Sequence, residues 1–264
     1  MWYNLNMDCK NEVLKKLELN RGKYVSGEKL AKELDISRQA VSKCVKSLIE
    51  SGYVIYSKTN CGYLLDEKCD LINAAVIEKL TGAKTFCFSN VDSTNTRAQK
   101  LYCDAGECIV CALSQTAGRK KDGESFFSPY DKGIYLSIAL PLSISAEEAL
   151  PLRQIAAKAT RLAIYNACAI MPEIENVDEL FIDGKKVAGI LIEGVLNTAI
   201  MKIKSAVIGI GVYTAPTPSD DEESDAFALN GFLGAIYPEE TRNKLIADIY
   251  LNIKSFLKTA NFTN

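Results

Sequence analysis

The chain has 264 residues, of which 48% are hydrophobic and 24% charged, and a formal net charge of −2. This composition is globular and excludes a disordered or collagen-like chain, and no apolar run approaches the roughly 18 residues of a membrane span. With no histidine among its residues, the chain lacks the means for Ser-His-Asp or Cys-His catalysis, imidazole-ligated zinc and histidine pH switching. Nine cysteines behind an N-terminus without signal-peptide character read as reduced thiols of a cytoplasmic protein rather than a disulfide framework.

The charge is uneven. Residues 1–65 carry 11 Lys+Arg against 7 Asp+Glu, whereas the remainder carries 20 against 26. A small basic head on an acidic body predicts two jobs, the first with a polyanion.

In the head, Val13, Leu14 and Leu17 predict a helix over 8–20. Ser26 caps a second helix carrying Leu30, Ala31 and Leu34. Asp35-Ile36 form a tight turn, and Ser37 caps a third helix that runs to Gly52. Its predicted core stripe is Ala40, Val41, Cys44, Val45, Leu48 and Ile49. The opposite face presents Arg38, Gln39, Ser42, Lys43 and Lys46, side chains suited to base edges and phosphates in a major groove. Tyr53–Tyr56 and Gly62–Leu65 then predict a hairpin whose tip includes Lys58. Three helices and a hairpin resemble a winged helix-turn-helix with the third helix as reader and the hairpin as wing. The head is placed at residues 1–66, and Asp66-Glu67-Lys68 begins a polar link.

The body, placed at residues 75–264, mixes strands and helices without strict alternation, an α+β pattern. Strands are predicted at 85–89, 108–113, 133–140, 179–182, 187–193 and 202–210. Helices are predicted at 94–103, 146–170 (Ser145 and Glu148 in capping-box spacing) and 239–258. The last carries the stripe Leu245, Ile246, Ile249, Tyr250, Ile253 and Phe256. The acidic stretch Pro216–Asp225 reads as solvated. Cys108 and Cys111 form a lone CxxC, but within a strand they point to opposite faces and read as structural.

Three segments carry chemistry. Asp92-Ser93-Thr94-Asn95 lies between a strand and a helix. The glycine-bracketed run Gly118-Arg119-Lys120-Lys121-Asp122-Gly123, preceded by Ser114-Gln115-Thr116-Ala117, follows a buried strand with three consecutive cations suited to carboxylate and phosphate oxygens. Asp183-Gly184-Lys185-Lys186 forms a hairpin leading into a strand with a small-residue notch at Ala188-Gly189, where a ligand can lie close to the backbone. By spacing alone, Lys185 and Lys186 serve equally.

The order winged helix, DSTN, SQTAGR, a glycine-flanked cation run, FFSP (Phe126–Pro129), GKKVAGILIE and VIGIGV (Val207–Val212) resembles the bifunctional biotin protein ligases that double as biotin operon repressors. The resemblance runs from about Val13 to the end. It implies a winged helix-turn-helix followed by a mixed-sheet catalytic domain of the class II synthetase-like, biotin/lipoate ligase type. The implied reaction joins biotin and ATP, with Mg²⁺, into biotinyl-5′-AMP and passes the acyl group to a lysine of a carboxylase's biotin carboxyl-carrier domain. The implied catalytic residues are Lys186 and Arg119. The implied binding residues are Ser93, Thr94, Asn95, Gln115, Gly118, Arg119, Lys120, Lys121, Lys186, Gly189 and Leu191, with Asp178 and Glu179 toward Mg²⁺. It further implies operator DNA as partner and a homodimer when ligand is bound. An alternative within the same resemblance is a transcriptional regulator that senses biotin or lipoate without efficient adenylation.

The chain departs from the family pattern on the nucleotide side. Lys120 stands for a glycine, Lys121 for an arginine, Glu124 for an arginine and Phe126 for a tryptophan. Asn176-Val177-Asp178-Glu179 stands for Trp-Pro-Asn-Asp, and Tyr213 for an asparagine. The C-terminal SH3-like barrel of such regulators is read as absent.

Overall fold

The computed structural model describes residues 2–50, 53–66, 69, 71–121, 123–130, 132–142, 144–145, 149–197, 202–214, 241–260 and 262. The features predicted at Gly52, Glu67-Lys68, Asp122, Ala146–Glu148, Pro216–Asp225 and Glu239 lie outside the described residues. The chain divides into two compact units, Met1–Val76 and Ile77–Asn264.

The first unit is built from α1 (Trp2–Glu18), α2 (Gly27–Leu34), α3 (Arg38–Glu50), β1 (Ile55–Lys58) and β2 (Gly62–Leu65). Ser26 Oγ accepts from Lys29 N at 3.1 Å, and Ser37 Oγ from Ala40 N at 3.1 Å, so each serine satisfies a donor that the first helical turn leaves free. Asp35 turns the chain between the helices with a positive φ of 52°. The core joins Val13, Leu14 and Leu17 to Leu30, Ala31, Val41, Cys44, Val45 and Leu48, with Ile55 and Leu65 from the hairpin. Two members of the predicted stripe sit off it: Ile49 is 45% exposed and Ala40 half-buried. At about 100° per residue, both lie about 90° from the mean direction of Val41, Cys44, Val45 and Leu48. β1 and β2 pair antiparallel from Ile55↔Leu65 to Lys58↔Gly62. Arg38, Gln39, Ser42, Lys43, Lys46 and Lys58 are all exposed.

The second unit contains α4 (Ala74–Thr81, begun in the first), β3 (Lys84–Phe88), α5 (Thr94–Ala105), β4 (Cys108–Ala112), β5 (Gly133–Leu140) and β6 (Ile144–Ser145). It continues through α6 (Ala149–Cys168), β7 (Glu173–Glu175), β8 (Glu179–Ile182), β9 (Lys185–Asn197), β10 (Lys202–Tyr213) and α7 (Thr241–Thr259). One mixed sheet runs β3-β4-β5-β10-β9-β8-β7, with β6 on the end of β10. β3 and β4 are parallel and the other pairings antiparallel. The predicted elements are present with ends moved by a few residues, and α4, β6 and β7 are additional. β7 and β6 are three and two residues long, too short for a periodic signal.

Register fixes which side chains share a face. Tyr135, Ser137 and Ala139 on β5 align with Gly211, Gly209 and Val207 on β10, which align in turn with Gly189, Leu191 and Glu193 on β9. α5 packs against β4, β5 and β10 on this side, where Ala98 meets Cys108, Val110, Ala139 and Val207. The intervening positions (Ile134, Leu136, Ile138, Ile208, Ile210, Val212) are buried. Their cover comes from α6 and α7, which pack on each other and touch β9 and β5 respectively. On α7 the stripe is Leu245, Ile246, Ile249, Tyr250, Ile253 and Leu257; Phe256 is only half-buried and Leu257 takes its place. The two cysteines of the CxxC are both buried and do not converge: Cys108 packs under α5, while Cys111 pairs in register with Cys87. That pairing and burial push the Cys111 thiol well up.

Leu48 is fully buried where α3 meets α1 and β1. Leu48→Ala is expected to cost about 2–5 kcal/mol in urea unfolding followed by circular dichroism.

Candidate functional site

A cavity of about 440 Å³ opens on the α5 side of the sheet. Its floor is made of residues without side chains. Gly209 lies beneath Asn95, and a Cβ there would collide with Asn95 Oδ1; Gly211 lies beneath the ring of Phe126 and would collide likewise. Gly189, opposite Gly211 on β9, brings the floor to the edge of Lys186. The notch read at Ala188-Gly189 is therefore relocated. Ala188 is wholly buried on the opposite face, because alternate strand residues point opposite ways, and Gly189 is joined by Gly209 and Gly211.

The polar wall starts at the N-terminus of α5. Ser93 caps the helix, and Ser93, Thr94 and Asn95 are all buried and line the cavity. Thr94 donates to Gln115 Oε1 from both N (2.8 Å) and Oγ1 (3.0 Å). With its carbonyl oxygen so engaged, Gln115 turns its amide Nε2 to Ser128 Oγ at 2.9 Å. Ser137, fully buried at the centre of β5, has its hydroxyl within 2.8 Å of Thr94 Oγ1 and 2.6 Å of Asn95 Oδ1. Asn95 Nδ2 donates to Glu193 Oε2 at 2.7 Å, and Arg119 donates to both Glu193 oxygens at 3.0 and 3.2 Å. A hydrogen-bonded chain thus runs from Gln115 through Thr94, Ser137 and Asn95 to Arg119.

The cationic run forms a hairpin. Lys120 and Glu124 are joined by Lys120 N to Glu124 O at 2.8 Å, Gly123 turns the chain at φ 88°, and Phe126 N donates to Gly118 O at 2.9 Å. Arg119, Lys120 and Lys121 line the cavity. Gly118 does not. It sits buried at the neck of the hairpin, where a Cβ would come within 2.7 Å of Phe126 O. Phe126 closes one end of the cavity, stacked on Tyr213 (centroids 5.4 Å, 14° between planes) and edge-on to Tyr135 (6.4 Å, 79°). The two positions that depart from the family pattern here are thus packed against each other.

Of the two hairpin lysines, Lys186 lines the cavity and Lys185 is exposed. Lys186 Nζ lies 2.5 Å from Glu179 Oε1. Burial works to raise the Glu179 carboxyl, but the hydrogen bond and charge of Lys186, with Asn176 and Lys120, outweigh it and hold the group below its ordinary value. Asp178 is buried, its Oδ2 has no hydrogen-bond partner, and its nearest cations are Lys121 (3.9 Å) and Arg153 (4.0 Å). It follows two residues, Asn176 (φ 47°) and Val177 (φ 74°), in the left-handed region. For a β-branched residue that backbone is strained by about 1–3 kcal/mol. Ile190 N holds the far side of the turn by donating to Asp178 O at 2.9 Å.

The arrangement brings together Ser93, Thr94, Asn95, Gln115, Arg119, Lys120, Lys121, Asp178, Glu179, Lys186, Gly189 and Leu191 from the sequence reading. The sequence reading missed Ser137, Ser128, Glu193, Gly209 and Gly211. Chemically, a pocket walled by buried amide and hydroxyl groups adjoins a cluster of cations, as a neutral polar head with an anionic tail requires. Among the described residues no three Cys, Asp or Glu side chains converge on a metal position. The under-partnered Asp178 carboxylate fits a Mg²⁺ that takes one or two protein carboxylates and its remaining ligands from phosphate and water. Glu179, held by Lys186, fits it less well.

Ser137→Ala leaves two buried groups without their hydroxyl partner. It is expected to cost about 1–3 kcal/mol in urea unfolding, with an unchanged m-value.

Residues 10–64 match the family described as an HTH domain. The bifunctional ligase/repressor BirA of Escherichia coli (strain K12) is 30% identical over 204 residues, covering 75% of this chain and 61% of that protein. The protein of the same name from Bacillus subtilis (strain 168) is 28% identical over 211 residues, covering 76% and 64%. The chain thus spans a little under two thirds of the length of these relatives. Among solved structures, biotin protein ligase from Leishmania major in complex with biotin superposes with a TM-score of 0.54 at 21% identity, covering 68% of this chain and 76% of that one. The Aquifex aeolicus enzyme in complex with biotin and ATP gives 0.52 at 23%, covering 66% and 72%. Over about three quarters of its length the chain is similar to the BirA bifunctional ligase/repressors, with an HTH domain at its N-terminal end and, following it in sequence, a mixed-sheet unit with the fold of biotin protein ligases.

Proposed function

We propose that this chain is a biotin protein ligase coupled to a DNA-binding repressor head. The observation that carries the reading is the junction of the Thr94–Asn95–Gln115 pocket with the ring of Arg119, Lys120, Lys121 and Lys186 over a glycine floor. The relatives' name joins the same two activities.

In this reading the biotin head group takes the hydrogen-bonding wall of Ser93, Thr94, Asn95 and Gln115, and Gly189 and Leu191 flank its ring and chain. Its carboxylate oxygen attacks the α-phosphorus of ATP, a bond to that phosphorus forms, the α–β bridging bond breaks and pyrophosphate leaves. Lys186 neutralises charge between carboxylate and α-phosphate, and Arg119, Lys120 and Lys121 neutralise the phosphate oxygens, which lowers the barrier to an anionic transition state. To do so Lys186 exchanges Glu179 for the reacting oxygens. Asp178 would be the residue to hold a Mg²⁺, with Glu179 as the second candidate ligand, and the ion would supply further charge neutralisation. A lysine amine of a biotin carboxyl-carrier domain then attacks the acyl carbon, AMP leaves and an amide forms. Gly118 serves by letting the cationic hairpin close against Phe126 and Ser128. In the head, Arg38 and Gln39 face base edges and Ser42, Lys43, Lys46 and Lys58 face phosphates of an operator. We further propose a homodimer when ligand is bound and a cytoplasmic site of action; no helix of the described residues is long and apolar enough to cross a membrane.

Purified chain mixed with biotin, ATP and Mg²⁺ is expected to yield biotinyl-5′-AMP by mass spectrometry, and Lys186→Ala is expected to cut the yield by about 100-fold or more. Equal yield from the variant rejects the role of Lys186. Biotin binding without adenylate from the unaltered chain replaces the ligase reading with a biotin- or lipoate-sensing regulator. Lys43→Ala is expected to weaken DNA binding and reduce the slope of log affinity on log salt by about one. An unchanged slope removes Lys43 from the phosphate contacts.

A further inference from the structure

The seam between α1 and α3 ends in two thiols. On α1, Cys9 lies one and two turns before Val13 and Leu17, and on α3 Cys44 stands between Val41 and Leu48, so both sit at the edge of the head's core. Their sulfurs are 3.2 Å apart across 35 residues of chain. Cys44 is buried, whereas Cys9 is half-buried and open to solvent on one side. The exposed side of the same α3 carries Arg38, Gln39, Ser42, Lys43 and Lys46.

Among the described residues one other pair of thiols is hydrogen-bonded, Cys87 with Cys111, directly opposite on the parallel strands β3 and β4. A sheet ladder holds such neighbours about 4.8 Å apart with their side chains parallel, wider than the roughly 3.8 Å between the Cβ atoms of a disulfide. β4 is also held from its other side by β5. Packed helices have no ladder between them, and a closure of about 1 Å takes the Cys9 and Cys44 sulfurs to bonding distance.

We infer that Cys9 and Cys44 form a reversible modification site, a dithiol that oxidises to a disulfide and bolts the N-terminal helix to α3. The step is exchange with a small-molecule disulfide of the oxidised-glutathione class. Cys9 loses its proton and attacks one sulfur of that disulfide; a bond to the Cys9 sulfur forms, the original S–S bond breaks and one thiolate leaves. Cys44 loses its proton and attacks the Cys9 sulfur, the Cys9–Cys44 bond forms and the second thiolate leaves. The two leaving thiolates take up the two protons, so two protein thiols are oxidised and one disulfide is reduced to two thiols. Burial, then the hydrogen bond and charge of Cys9, push the Cys44 thiol up to about 12 against the pull of Lys10 and Lys43. That makes Cys44 a poor first nucleophile and Cys9 the point of entry. Once Cys9 is in a mixed disulfide, its charge no longer opposes ionisation of Cys44. Oxidation of the pair depends neither on the cavity of the second unit nor on what the head binds. It makes the helix that carries the exposed cations move only together with α1.

The test is incubation of the full chain at micromolar concentration with oxidised glutathione, followed by alkylation of free thiols and peptide mapping by mass spectrometry. The native sequence is compared with C9A and C44A, which keep both positions apolar. The native chain is expected to gain a Cys9–Cys44 bridge that dithiothreitol removes. C44A should stop at a glutathione adduct on Cys9, and C9A should leave Cys44 alkylatable only after unfolding. In the bridged native chain, hydrogen exchange over α1 and α3 should slow by about tenfold or more, with exchange over α7 unchanged, because the bridge closes a long loop of the unfolded head. A bridge at Cys87–Cys111 with Cys9 and Cys44 still free overturns the inference. So does a Cys9 adduct that persists in the native chain, a Cys44 adduct in folded C9A, or exchange over α1 and α3 unmoved by the bridge.

Discussion

The second unit depends on side chains that are missing from one face of its sheet. Gly209 and Gly211 on β10 and Gly189 on β9 leave a trough in an otherwise close-packed layer, and Asn95 and Phe126 drop into it from α5 and the cationic hairpin. Packed interiors leave few voids larger than a water molecule. The glycines make room for Asn95 and Phe126, and the cavity of about 440 Å³ lies between those side chains, the glycine floor and the flanking polar groups. The opposite face of the same strands is continuous aliphatic surface under α6 and α7. The sheet thus does structural duty on one side and leaves the other to the site.

Two electrostatic regimes meet over that trough. On the α5 side the groups are neutral, buried and mutually satisfied: Thr94, Gln115, Ser137 and Asn95 each fix the next one's donor and acceptor sense. On the hairpin side the groups are charged and partly exposed, and their pairings are individually weak in water. Glu193 belongs to both, orienting the Asn95 amide with one oxygen while holding the Arg119 guanidinium with two. The strained turn at Asn176-Val177 delivers Asp178 to the same region. Strain of this kind persists only where surrounding structure imposes it, and the donation from Ile190 N to Asp178 O is one such restraint.

Much of this was legible from residue type and spacing. Helix caps at Ser26, Ser37 and Ser93, the exposed face of α3 and the cationic run between Gly118 and Gly123 were all readable because each depends on local chemistry. The choice between Lys185 and Lys186 was not, because strict alternation from Gly189 would put Lys185 on the cavity face, and the register shift between Leu180 and Phe181, opposite Ala188 and Lys186, brings Lys186 there instead. Ala40 and Ile49 were misplaced as core residues because the α3 stripe was read one position too wide at each edge, and Phe256 because the last core position of α7 was read one residue early. Ser137 and Glu193 left a faint signal, a lone hydroxyl in GIYLSIAL and a lone acid ending GILIE. Gly209 and Gly211, two apart in VIGIGV, share a face in any strand, so their joint role was available to the alternation rule. Nothing local could reveal that Glu193 and Asp178 face Arg119 and Lys121, because those pairings are tertiary, whereas Glu124 and Glu179 reach Lys120 and Lys186 across hairpins, four and seven residues away.

The bond between Asn95 and Glu193 closes 98 residues of chain. Its two ends are brought together only when β10, already joined to β9 as a hairpin, has paired with β5, the long-range pairing that a folding chain makes late because loop closure is costly before contacts accumulate. Neither the hydroxyl wall from residues 93–137 nor the glycine floor from 189–211 is a pocket without the other. A nascent or partly folded chain therefore has the cations of the hairpin but no seat for a ligand. Occupancy of the cavity is in this sense a proofreading signal, reporting that the last strands of the sheet have found their register.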